Sequence, residues 1–178
     1  MRAVFALMVT HQYLPLFGVV AIEEAGIPLP APTDLVAAFY GYRERAQIAD
    51  LATVVVICAL ASTVGSLGPY LLARRFGSGL ATRAAGWLDI DPLQVERWRQ
   101  RLVRSGFVAV LVGRLIPGFR VVMSPIAGGA NVPVRDFVAG VLVAALIYWS
   151  GWVIVGATLG PRLIALIEPS YVRYLILV

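Results

Sequence analysis

Apolar residues in this chain come in long runs, and the runs set the predicted elements. Leu51 to Ala73 is apolar or small and carries no charge. As a helix it would rise about 34 Å, enough to cross a hydrocarbon core of about 30 Å. Val138 to Leu159 is a second uncharged run of similar length, carrying Tyr148, Trp149 and Trp152. Both are predicted as transmembrane helices. Between them, Arg74 to Arg104 is polar, with seven arginines against Asp89, Asp91 and Glu96. The positive-inside rule puts this connection in the cytoplasm. Within it Asp91 suits a helix N-cap and Pro92 the first helical position, which predicts a helix over 92–104. Leu93, Trp98 and Leu102 lie there among basic residues, a pattern that fits either a helix on the anionic inner leaflet or a solvated loop.

The other apolar stretches are interrupted by charge and helix-breakers. One interruption runs from Glu23-Glu24 through Gly26, Pro28, Pro30 and Pro32 to Asp34; the other is Gly113-Arg114-Leu115-Ile116-Pro117-Gly118-Phe119-Arg120. Ahead of the first, Ala3 to Ile22 contains Pro15 and Gly18. After it, Thr33 can cap a helix from Asp34 to about Tyr42, about 14 Å long, or half a membrane. Phe107 to Ile116 supplies about 15 Å before Pro117-Gly118 breaks it, and a second half runs from Phe119 to Gly128-Gly129. These lengths predict re-entrant hairpins whose tips reach the midplane. The fold class is therefore an all-α membrane protein: two re-entrant broken-helix hairpins facing each other, plus spanning helices, in an inverted-repeat-like order. The halves are about 11–73 and 105–160, within a single membrane domain over 1–178. Discontinuous helices at matching places in two halves point to a transporter binding site. Pro161 to Val178 reads as either a final membrane helix or an interfacial one.

Composition agrees with a membrane setting: 60% hydrophobic, 14% charged and a mean hydropathy of +0.83, against about 45–50% apolar and about 25% charged in soluble domains. The faint signal-peptide pattern after Arg2 is cut short by His11-Gln12, so the segment is expected to be retained. Cys58 is the lone cysteine and has no intrachain partner. His11 is the lone histidine. With no metal-ligand cluster, Walker loop or Ser/His/Asp arrangement, the sequence calls for no metal, cofactor or catalytic residue. The basic charge is explained by topology, so no nucleic acid is expected. Gly156 and Gly160 fit the small-xxx-small pattern of close helix packing.

The chemistry sits in the two interruptions, because ionisable groups at membrane depth persist mainly where they line a cavity or bind something. Burial and a nearby arginine pull a carboxyl's protonation in opposite directions. Glu23 and Asp34 under both influences are candidate proton-coupling groups. The alternative for Glu23, Glu24 and Asp34 is a headgroup position at a helix end, and it weighs most for Glu24. Arg114 and Arg120 flank the Pro117-Gly118 break; their planar donor forks suit a phosphate, and a helix restarting there adds free N–H groups. The alternative is internal pairing of these arginines with Glu23 and Asp34.

At these residues the chain resembles the DedA family, also described as the SNARE-associated or VTT-domain family. The match runs through Glu23-x-x-Gly26-x-Pro28-x-Pro30 and an acidic residue, Gly65-Ser66, Tyr70, Ala73 to Gly77, Gly113 to Arg120, Ala127-Gly128, Trp149, Gly156 and Gly160. The chain departs from the pattern at Asp34, two residues later than the usual acidic position, at Ala73 in place of Gly, and at Asn131-Val132, where Met is frequent. The resemblance implies a multi-pass bacterial inner-membrane protein with facing re-entrant hairpins. It also implies movement of phosphate-bearing lipid, undecaprenyl phosphate or phospholipid, linked to the proton motive force. By that similarity Glu23, Asp34, Arg114 and Arg120 are the functional charges, with Pro117 and Gly118 beside the bound phosphate. The partners are then membrane lipids and protons, and association into a homo-oligomer is left open. Two rivals stay open: a proton-coupled transporter of small solutes such as cations or drugs, and a membrane enzyme or assembly factor.

Overall fold

A computed structural model of the chain describes residues 13–27, 29, 33–77, 91–116 and 119–166, with the backbone alone for 92, 95 and 161–166. The described elements are all α-helices. Helix α1 is Leu14–Glu24, with Pro15 in its first turn, where the missing N–H leaves no bond unmade. It closes on Gly26, whose φ of 90° suits glycine. Helix α2 is Thr33–Arg43 and α3 is Ile48–Phe76. Helix α4 is Pro92–Arg104, as the sequence predicts, and the Asp91 carboxylate accepts from the Leu93 N–H at 2.9 Å. On its exposed face Arg99 bonds Glu96 and holds that carboxyl below its ordinary pKa. Helix α5 is Gly106–Leu115, α6 is Arg120–Gly129 and α7 is Val134–Leu166.

Three boundaries differ from the sequence reading. Helices α3 and α7 overrun the apolar runs that predicted them, because apolarity marks the lipid-compatible part while the helix continues until something stops it. For α3 that stop is Gly77, at φ 87°. Thr33 lies inside α2 instead of ahead of it, and its hydroxyl turns to Glu23 and Arg120. The α7 backbone passes through Pro161 to Leu166, so no new helix starts at Pro161. The expectations for His11, for 78–90 and for 167–178 fall outside the described residues.

Packing follows an exchange. Helix α1 lies on α3 and α5 on α7, whereas α2 crosses to α7 and α6 crosses to α3. Helices α3 and α7 also pack on each other, and α4 covers α5 and the start of the α6 side. Two apolar cores result. One joins Leu16, Val20, Tyr40, Val54 and Cys58 to Trp149 and Val153; the other joins Tyr70 to Val110, Phe119, Met123, Phe137 and Val141. They occupy opposite ends of the two long helices. The α2–α7 approach depends on the predicted glycine pair: a Cβ on Gly156 would strike the Ala38 carbonyl, and Gly160 lies under the Tyr42 ring. Outward, Leu60, Val64 and Leu71 of α3 and Ile147 and Ile154 of α7 are exposed. Ile48–Phe76 and Val134–Gly160 are long and apolar enough to cross a membrane.

Candidate functional site

Four helix ends converge between the two cores: the C-termini of α1 and α5 and the N-termini of α2 and α6. They meet beside Ser62, half-way along α3, and beside Tyr148 and Trp149, half-way along the apolar part of α7. The Trp149 indole N–H donates to Ser62 Oγ at 2.8 Å and pins the two long helices at that height. Helix ends leave backbone groups without intrahelical partners, and N-termini carry partial positive charge.

Arg114 ends α5 and is buried, its side chain 3% exposed. Its Nη2 lies 2.6 Å from Glu24 Oε2, and Glu24 is itself 1% exposed. Its Nη1 donates to the Arg120 carbonyl at 3.1 Å and to Ser124 Oγ at 3.2 Å. A charge this deep persists only when it is paired and its donors are used.

Arg120 opens α6 and holds three carboxylates. Nη2 is 3.1 Å from Glu23 Oε2, Nε is 3.7 Å from Glu24 Oε1 and Nη1 is 3.6 Å from Asp34 Oδ1. Nη2 also donates to Thr33 Oγ1 at 3.1 Å, and the Thr33 hydroxyl in turn donates to the Glu23 carboxylate. The guanidinium lies 4.8 Å and 4.9 Å from the ring centres of Tyr148 and Trp149, within cation–π range. Tyr148 donates its hydroxyl to Asp34 Oδ1 at 3.0 Å. Arg120 Nη1 is the buried donor without a hydrogen bond among the described side chains. A cavity of about 10 Å³ adjoins it, between Glu24, Arg114, Tyr148 and Trp149. That is room for roughly one water.

The structure thus brings Glu23, Asp34, Arg114 and Arg120 into one cluster, while Pro117 and Gly118 lie outside the described residues. Glu24, the acidic residue for which a headgroup position weighed most, is the most buried of the three carboxylates. Thr33, Ser124, Tyr148 and Trp149 also belong to the cluster; the sequence offered Thr33 only as a cap and Trp149 only as a position of the family pattern. One signal for the aromatics was available. Membrane aromatics concentrate at the two interfaces, and Tyr148-Trp149 stand at the centre of an uncharged run instead.

A model of the VTT domain matches residues 29–158, a span that takes in Asp34, Arg114 and Arg120. The chain belongs to the VTT-domain (DedA) family. Among VTT-domain relatives it is 21% identical over 163 residues to an uncharacterised membrane protein of Bacillus subtilis, covering 90% of this chain and 98% of that one. It is 30% identical over 141 residues to an uncharacterised membrane protein of Mycobacterium tuberculosis, covering 78% and 64%. It is 24% identical over 151 residues to undecaprenyl phosphate transporter A of Staphylococcus aureus, covering 83% and 73%. No solved structure gives a significant match. VTT-domain proteins similar to this chain are therefore named as membrane proteins, and one of them as a transporter.

Proposed function

We propose that this VTT-domain protein moves a phosphate-bearing lipid, undecaprenyl phosphate or a phospholipid, across the bacterial inner membrane. The observation that carries the reading is the pair of buried arginines at mid-height whose charge is balanced by carboxylates of the facing hairpin. A phosphate offers the same acceptor geometry as those carboxylates, so it can replace Glu23 and Asp34 on Arg120 and approach Arg114 beside its retained Glu24. The N-termini of α2 and α6 add donors and partial positive charge on the same side. With only about 10 Å³ free, the ion pairs must part before a phosphate enters. Glu23 and Asp34, with side chains 27% and 29% exposed, are the carboxylates placed to leave and take up protons as they do. Glu24 stays as the fixed counter-charge of Arg114. Exchanged packing of the short helices, α2 on α7 and α6 on α3, supports two re-entrant hairpins related as an inverted repeat. The name of the Staphylococcus relative supports the choice of lipid class.

The test is leaflet transfer of a labelled polyprenyl phosphate or phospholipid in liposomes holding the purified protein. Wild-type protein is expected to accelerate transfer, and the Arg114→Ala, Arg120→Ala double variant to lose that acceleration. Equal rates would sink the reading. Solute flux driven by a pH gradient, with no lipid movement, would favour the small-solute transporter.

A further inference from the structure

A second feature lies apart from the charged cluster, where the basic helix α4 meets α5. Between them is a groove of about 270 Å³. Its floor is Trp98 and Ala109, both buried, and its apolar wall is Val108 and Val112, 55% and 44% exposed. Ser105, Val108, Ala109 and Val112 fall on one face of α5 by the three-four spacing of a helix. At the mouth stand Arg101 and Arg104. Helix α4 carries four arginines and one glutamate, and Glu96 is taken by Arg99. Arg101 and Arg104 have no ion-pair partner among the described residues. Arg101 is instead held over the Trp98 ring, 4.9 Å from its centre. Beside them Ser105, which caps α5 without a side-chain cap bond, completes the lining.

We propose that this groove binds one anionic phospholipid of the host bilayer. Its phosphate lies between Arg101 and Arg104, and an acyl chain lies along Val108 and Val112. Charge complementarity selects the occupant. Two unpaired guanidiniums at the mouth of an apolar wall fit an anionic headgroup with an attached chain. A zwitterionic lipid brings a cation with its phosphate and an apolar peptide brings no counter-charge, so neither neutralises the pair. The proposal rests on the membrane setting of the family and not on the transport reading, because none of these residues belongs to the charged cluster.

Native mass spectrometry of the full chain released from detergent tests it, with phosphatidylglycerol titrated against phosphatidylcholine of the same chains. A single phosphatidylglycerol adduct is expected, with weaker retention of phosphatidylcholine. Arg101→Gln with Arg104→Gln should weaken that adduct about twenty-five-fold, taking roughly a factor of five per arginine near an anionic surface. Arg97→Gln with Arg99→Gln, which removes equal charge outside the groove, should change it by about twofold or less. Val108→Trp should fill the groove and abolish the adduct while the thermal melt by circular dichroism stays cooperative. Arg114→Ala with Arg120→Ala should leave the adduct intact whatever it does to transport. Equal retention of both lipids, or equal loss in the two glutamine pairs, would overturn the proposal. So would loss of the adduct in the Arg114, Arg120 variant, or a dimer that Val108→Trp dissolves, since the occupant would then be the cluster's own ligand or a second copy of the chain.

Discussion

Glu24 lies against Arg114 with 1% of its side chain exposed, while Glu23, one residue earlier, keeps 27%. The two neighbours should therefore fail differently when removed. Glu24→Ala strips a buried guanidinium of its closest counter-charge, a loss worth about 3–5 kcal/mol. It should lower the melting temperature in detergent by about 10 °C, at the few degrees per kcal/mol usual for this chain length. Glu23→Ala should melt near wild type and lose leaflet transfer in the liposome assay. The reverse pattern would mean that the roles of the two carboxylates are exchanged. Nothing in the sequence separates them. Adjacent helical residues point about 100° apart, and which direction faces Arg114 depends on where α5 packs. The presence of Glu23, Asp34, Arg114 and Arg120 was legible because each stands where hydrocarbon would make it costly. Their shared location was only a pattern of matching breaks until the helix ends met.

At the scale of elements, half-length helices were readable because proline and glycine punctuate runs too short to span. The helix over 92–104 was readable from its cap. What the short helices pack against was not readable, because it depends on contacts between distant segments, such as Ala38 with Gly156 and Tyr70 with Gly128. Gly156 offers a direct check of the α2–α7 contact. A side chain there would enter the Ala38 backbone, whereas Gly151, earlier on the same helix and on a different face, has nothing within 4 Å. Gly156→Leu should therefore cost about 1–3 kcal/mol or more through overpacking, read as an early thermal unfolding transition. Gly151→Leu should melt within a degree or two of wild type. Equal effects would mean that α2 does not ride on α7.

Across the whole molecule the packing exchange makes a topological statement that side-specific labelling can read. If the two hairpins enter from opposite faces, the turn between α2 and α3 and the turn between α6 and α7 lie on opposite sides of the bilayer. In a background with Cys58→Ala, a cysteine introduced by Arg45→Cys should react with an impermeant maleimide from outside intact cells. One introduced by Asn131→Cys should react only after permeabilisation. Both positions are exposed, and labelling of both from one side would remove the inverted arrangement.

The same overall placement bears on the cluster's charge. Three carboxylates face two guanidiniums, so the cluster holds one surplus negative charge when all five are ionised, at the height where α3 and α7 are half traversed. A charge taken on or given up at that depth crosses about half the electric field. The membrane voltage would act on such a charging step, under the transport reading, by about 1 kcal/mol per 100 mV. Under the transport reading, a potassium diffusion potential imposed on proteoliposomes at equal pH should alter the transfer rate several-fold between its two polarities. A voltage-indifferent rate would mean that the surplus charge is neutralised before the moving step. A rate that differs between the polarities would instead make the odd carboxylate, under the transport reading, the group through which electrical potential reaches the site.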